Sequence, residues 1–196
     1  MTIIVDGTGS GRQAKVDGSN RLYTHAISVP ESVQALEDGD SYNFNTDNIT
    51  LTSAADTPLL YLKYTGTHRF LVSRLVVSTK ATTGGSASDK PEIRIIRNPT
   101  AGTTISNANP ASISANKNFS SSLSFDGAVY VGATGETITD GTDVLLIYGS
   151  DAGGTLTSVE ISLGKGDSIA ISYKPSAGNT SQVLYAALIG HVEIDT

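Results

Sequence analysis

The sequence predicts an all-β protein: an antiparallel two-sheet sandwich, jelly-roll-like, preceded by an extended N-terminal arm. Three observations predict it. Apolar residues recur at every second position through most of residues 58–194, the period of a strand covered chiefly on one face. The runs are short and bounded by Gly, Pro, Asn or Asp, the residues that turns between antiparallel strands require. No long stretch carries a helical period, which argues against strands alternating with helices.

The elements follow in chain order. Residues 1–57 form the weaker half, an arm with short strands, and hold GTGSGR (7–12), DGSN (17–20), EDGD (37–40) and NFNTDN (43–48). Their apolar pattern is concentrated in RLYTHAISV (21–29) and NITLT (48–52). One helix of at most two turns is expected over PESVQALEDG (30–39), with Pro30 near the first turn, Glu31 at the positive end and Gly39 as the stop. Residues 58–196 form the sandwich domain. Its strands are PLLYLKY (58–64), RFLVSRLVVST (69–79), PEIRIIRN (91–98), GAVYVGA (127–133), DVLLIYG (143–149), TSVEISL (157–163), DSIAISYK (167–174) and SQVLYAALIGHVEI (181–194). In the second of these, strict alternation puts Leu71, Ser73, Leu75 and Val77 on one face and Phe70, Val72, Arg74 and Val76 on the other. In LGKGDSIAISYKP, Gly164 and Gly166 supply the turn, and Ile169, Ile171 and Tyr173 then line one face.

Composition narrows the range of activities. A chain of 196 residues buries roughly 70% of the surface its unfolded form exposes, so its core needs no staple. It has no cysteine, which removes disulfides, thiolate metal sites and Cys nucleophiles. Only 16% of residues are charged and the net charge is −6; a surface of this sign repels polyphosphates, so nucleic acid is not an expected partner. The start MTIIVDGTGSG lacks the basic and apolar regions of a signal peptide, and no run reaches the length of a membrane helix, so no membrane partner is expected either.

The motifs that resemble sites read better as turns. GTGSGR follows neither a dinucleotide nor a P-loop spacing, and no helix follows it to present amides to a phosphate. Glu37-Asp38-Gly39-Asp40 and Asp140-Gly141-Thr142-Asp143 carry hard oxygens but miss the twelve-residue calcium-loop pattern, and Asp-Gly is an ordinary turn signal. His25, His68 and His191 stand apart, and no G-x-S-x-G elbow occurs. No catalytic, cofactor-binding or metal-ligating residues are therefore expected. The tyrosines within strands, Tyr61, Tyr130, Tyr148, Tyr173 and Tyr185, are explained by packing; Tyr23 and Tyr42 are less committed.

The segment VDGTGSGRQAKVDGSNRLYTHAISV (5–29) contains an internal echo, Val5-Asp6-Gly7-Thr8 returning as Val16-Asp17-Gly18-Ser19. It resembles the N-terminal segment of accessory virion proteins of tailed bacteriophages, in which a DGTG…A-x-V-D…N-R-L…A run introduces a β-sandwich. IIRNPTAGTTISN (95–107), ANKNFSSS (115–122), YVGATGETITDG (130–141) and LGKGDSIAISYKP (163–175) are similar to phrases of the same jelly-roll-like family. The resemblance implies a virion component without enzymatic activity, assembled in the host cytoplasm. It would be either a capsid decoration (cement) protein or a tail-associated one.

The arm is the expected point of attachment. Ile3, Ile4, Val5, Val16 and Leu22 are apolar anchors and Arg12, Lys15 and Arg21 are charge partners for the major capsid protein or a neighbouring virion protein. A homotrimer in which arms are exchanged would bury those apolar residues. The rival expectation is a tail fibre or baseplate module that binds host surface glycan through STKATTGGSASDK (78–90) and GSDAGGTLTS (149–158).

Overall fold

Period-two strands with turn residues between them build two separate units. The computed structural model describes residues 4–5, 13–16, 22–23, 30–52, 55–83, 90–111, 118, 120–149, 153–179 and 181–193. The chain divides at Pro30, into Met1–Pro30 and Glu31–Thr196.

The first unit holds β1 (Ile4–Val5), β2 (Gln13–Val16) and β3 (Leu22–Tyr23) in one antiparallel sheet of that order. Ile4 lies opposite Ala14, and Val16 lies opposite Leu22. Each copy of the sequence echo begins on the last residue of a strand, Val5 or Val16.

The second unit begins with α1 (Glu31–Asp38), followed by β4 (Ser41–Asn45), β5 (Ile49–Leu51), β6 (Thr57–Tyr64), β7 (Phe70–Thr83) and β8 (Glu92–Arg97). After α2 (Thr103–Asn107) come β9 (Gly127–Val131), β10 (Thr142–Tyr148), β11 (Gly153–Leu163), β12 (Ser168–Lys174) and β13 (Ser181–Val192). Each of the eight strands expected after residue 57 is present. The division drawn at residue 57 shifts to Pro30, because β4 and β5 both hydrogen-bond to β13 and so belong to the sandwich. The segment SYNFN overlaps NFNTDN (43–48), which the sequence places in the half of weaker apolar pattern. In the folded chain Tyr42 and Phe44 are buried, and Asn43 and Asn45 alternate with them.

One sheet runs β10-β8-β12-β6-β9 and the other β11-β7-β13-β4, with every pairing antiparallel. The connectivity is that of a rolled-up hairpin. β6, β7 and β8 form one arm and pair in reverse order with β12, β11 and β10 of the returning arm. The sequence-based expectation of a jelly-roll-like sandwich holds on this topology.

The main core lies between the sheets and includes Leu60, Leu62, Leu75, Val77, Ile93, Ile95, Ile169, Ile171, Tyr173, Leu184 and Leu188. One part of it is aromatic: Phe125 meets Phe44 edge-on at 4.7 Å, Phe70 at 5.1 Å and Tyr42 at 5.5 Å, the tilted geometry that ring quadrupoles favour.

The two faces expected for residues 69–79 are corrected by a bulge. Phe70 and Val72 are buried, but so are Leu75, Val77 and Thr79, so the inward parity switches between 72 and 75. On the β13 side Ile189 pairs with Arg74 and Gly190 with Val72, leaving Ser73 as the extra residue. Ser73 Oγ donates to the Ile189 carbonyl, and the Ser158 hydroxyl donates to the Ser73 carbonyl. Across the other flank, β11 carries its own irregularity, with Glu160 at a φ of 45°. A bulge redirects every following side chain to the opposite face, which a strict two-residue period cannot represent.

A second, smaller cluster lies on the outer side of the first sheet, where Tyr61, Ile96 and Ala170 pack with Ile105, Tyr130 and Ile138. The cover is α2 together with residues 132–140, zipped edge to edge. Thr104 N–H donates to Thr137 O, Thr139 N–H to Ala101 O, and Thr137 N–H to Thr103 Oγ1. Glu136, itself buried, accepts from Asn107 Nδ2 at 2.8 Å and from the Ala133 N–H at 3.2 Å. The Asp140 carboxylate accepts the Thr100 hydroxyl and the N–H groups of Ala101 and Thr100, and these bonds, the hydroxyl's foremost, hold its pKa below the ordinary carboxylate value. The acidic turn read at 140–143 is thus a structural clasp.

Candidate attachment surface

Of the residues read as docking anchors, Ile4 and Val5 lie on β1, Lys15 and Val16 on β2 and Leu22 on β3; Ile3, Arg12 and Arg21 lie outside the described residues. One small sheet brings the five described anchors together. Charge separates the two units. Three basic against two acidic residues leave positions 1–30 at +1, whereas ten against seventeen leave positions 31–196 at −7, together the −6 of the chain.

On the sandwich the most exposed apolar feature is β10. It is an edge strand of its sheet, and Val144, Leu146 and Tyr148 are 48%, 45% and 59% exposed, while Leu145 and Ile147 pack inward on the core. Tyr148 thereby departs from the expectation that packing accounts for the strand tyrosines. Asp143 is the strand's one charged residue, and Arg94 Nη1 donates to it at 3.2 Å while Nη2 donates to Asp56. Beside the strand, a cleft of about 310 Å³ opens at the flank of the sandwich, with Val144 on one side and Ile161 and Leu163 on the other.

A second cleft, of about 300 Å³, lies over the aromatic part of the core. Asp40, His68 and Asp126 sit at it with Tyr42, Tyr64, Ser122 and Ser124. Its geometry starts in the helix stop. Gly39 at φ 89° lets Asp40 N–H return to the Ala35 carbonyl at 2.7 Å and Gly39 N–H to that of Leu36, a Schellman turn that delivers Asp40 to the rim. Burial, then the Asp38 charge, raises the Asp40 pKa; His68 opposes this and Asp126 adds to it. Tyr42 donates its hydroxyl to the Ser124 carbonyl at 3.3 Å, and burial foremost, then Asp40 and Asp126, pushes its pKa up to about 12. The cleft offers carboxylate and hydroxyl acceptors to a hydroxylated ligand. Among the described residues, no group of three or more His, Cys, Asp or Glu side chains could hold a metal ion.

The two loops expected to bind glycan are partly absorbed into strands, since Ser78 to Thr83 belong to β7 and Gly153 to Ser158 to β11. Their remaining tips, residues 84–89 and 150–152, lie outside the described residues. His25 lies outside them too, and His191 is buried in β13. Sequence reading missed the β10 surface. The signal was present in VLLIY (144–148), five consecutive apolar residues where a strand with one solvated face needs about half as many.

No helix among the described residues is long and apolar enough to cross a membrane. No protein-family model matches the chain, and no curated protein matches it.

Proposed function

We propose that this chain is a non-enzymatic structural protein of a bacteriophage virion, a capsid decoration (cement) protein that attaches through its N-terminal residues. The observation that carries the reading is the division at Pro30 between a small sheet of net charge +1 and a sandwich of −7. The sandwich draws its main core, among the described residues, from Tyr42 onwards. An element of opposite charge, carrying apolar anchors on strands of two to four residues, suits binding to another surface. The phrase-level likeness to phage accessory virion proteins supports the same reading. The major capsid protein or a neighbouring virion protein is the partner, with a homotrimer as the assembled form.

Deleting residues 2–20 tests it. The truncated protein is expected to keep its melting transition and to be lost from particles in a sedimentation assay; full occupancy of the truncated chain on particles would refute attachment through this segment. A second reading, a tail fibre or baseplate component that recognises host surface glycan, draws on the hydroxyl- and carboxylate-lined cleft beside Asp40. Reproducible binding of one sugar on a glycan array, abolished by Asp126→Asn, would favour it over decoration.

A further inference from the structure

The sandwich has exposed strand edges, and the chain blunts them unequally. An open edge presents unpaired N–H and C=O groups and is normally protected by cover, bulges or charge. The β9 edge is closed by residues 109–111: Ala111 N–H donates to the Val129 carbonyl, Val131 N–H to that of Asn109, and Pro110 bridges Tyr130. The β11 edge is bulged at Glu160 and carries Ser158, Glu160 and Ser162 outward. At the β5 edge, Thr134 takes up the Thr50 carbonyl. β10 differs from them. Among the described residues no segment closes its free edge, its single carboxylate is engaged by Arg94, and its outward side chains are Val144, Leu146 and Tyr148.

We infer that β10 is an acceptor edge, and that its occupant is strand β1 of a second copy of this chain, added as a further strand to the sheet β10-β8-β12-β6-β9. Two observations select this occupant. Among the described residues β1 is an edge strand, paired with β2 alone, so one side of it can accept a new partner. Charge selects it over a symmetric β10–β10 contact, which would bring two sandwiches of −7 together. The N-terminal unit carries +1, and no charged side chain occurs before Asp6. The added strand would run its backbone at residues 4–5 alongside β10, main-chain bonds supplying the affinity, and alternation along a strand would put one of the two positions on the face of the apolar stripe. The inference rests on the docking role of the N-terminal residues and names the surface that receives them.

The chain has no cysteine, so introduced thiols report without background. Full-length Ile4→Cys protein is mixed with full-length protein carrying Cys at 144, 146 or 148 in turn, one of the pair bearing a mass tag, and the mixture is oxidised. The expected result is a mixed dimer that dominates at one or two of the three positions, and a loss of self-association by sedimentation equilibrium in Leu146→Lys with the melting transition unchanged. Dominant Leu146→Cys homodimers would overturn the inference in favour of a two-fold edge contact. Closure within a single chain of the double variant, no cross-link at any position, or self-association unaffected by Leu146→Lys would also overturn it. Purified protein suffices, so this failure is separable from that of the attachment reading: loss of the truncated chain from particles, with no cross-link in solution, would sink strand addition and leave attachment standing.

Discussion

β10 and β12 flank the same strand, β8, on its two sides, and both are seven residues long. Their environments are opposite. Six of the seven residues of β12 are buried, whereas none of β10 is, although VLLIY in β10 is the more apolar run. The difference lies in what reaches each strand from elsewhere in the chain. β12 is central: its inward Ile169, Ile171 and Tyr173 fill the main core, its outward Ala170 lies in the second cluster, and Ser168 Oγ donates to the Pro99 carbonyl. Among the described residues β10 has one neighbouring strand, and the α2 cover packs on Tyr61, Ile96 and Ala170 rather than on it. Hydrophobicity sets how much a strand gains from cover. Topology decides whether it receives any.

The comparison predicts a graded series. Ile171→Ala, in the middle of β12 and 1% exposed, is expected to cost about 2–5 kcal/mol in chemical denaturation, the range for a buried aliphatic truncated in a close-packed core. Equal losses from Ile171→Ala and Leu146→Ala would break the contrast between the strands. Next, Glu136→Ala unfastens the cover over the outer face of β12. It leaves the amides of Asn107 and Ala133 short of an acceptor and is expected to cost about 1–3 kcal/mol, with faster amide hydrogen exchange at Ala170. Unchanged exchange there would mean that the cover does not depend on this carboxylate.

Tyr42 probes the aromatic region of the core. Its folded pKa, about 12, lies above the value near 10 of a free phenol. A raised acid pKa means that the folded state holds the proton more tightly, so this contribution to stability is intact below pH ~10 and is lost as pH rises towards 12. Tyr42→Phe is expected to flatten that alkaline loss and, by removing the bond to the Ser124 carbonyl, to lower stability at neutral pH by about 0.5–1.5 kcal/mol. Denaturation curves at pH 7 and 11 measure both. The smallest effect belongs to Leu146→Lys, expected to lie within about 0.5 kcal/mol of the parent because an exposed edge position has no cavity to open. A loss above 1 kcal/mol would show that β10 is covered in the free chain.

Much of the secondary structure was legible because its causes are local. DSIAISYK states its own alternation, and Gly164 and Gly166 mark the turn before it; PESVQALEDG carries its own start and its glycine stop. α2 was not legible, since TTISN has neither helical period nor a side-chain N-cap and is held by its bonds to residues 136–139. Ile4, Val5, Lys15, Val16 and Leu22 were picked out from composition, and the structure places them on β1, β2 and β3. The β10 surface left a trace in VLLIY, but its open edge is defined by the absence, among the described residues, of a second neighbouring strand.

By itself, then, the sequence determined which residues extend, where they turn and which unit carries positive charge, since steric preference, turn chemistry and formal charge act over a few residues. Only the tertiary structure decided that Ser73 reverses the faces of β7, that SYNFN enters the core and that the apolar run of β10 remains in solvent. The first two outcomes depend on pairings between residues more than a hundred positions apart, such as Ile189 with Arg74 and Leu188 with Phe44, and the third on a strand whose partners in β8 are about fifty positions away; no local pattern encodes the partner.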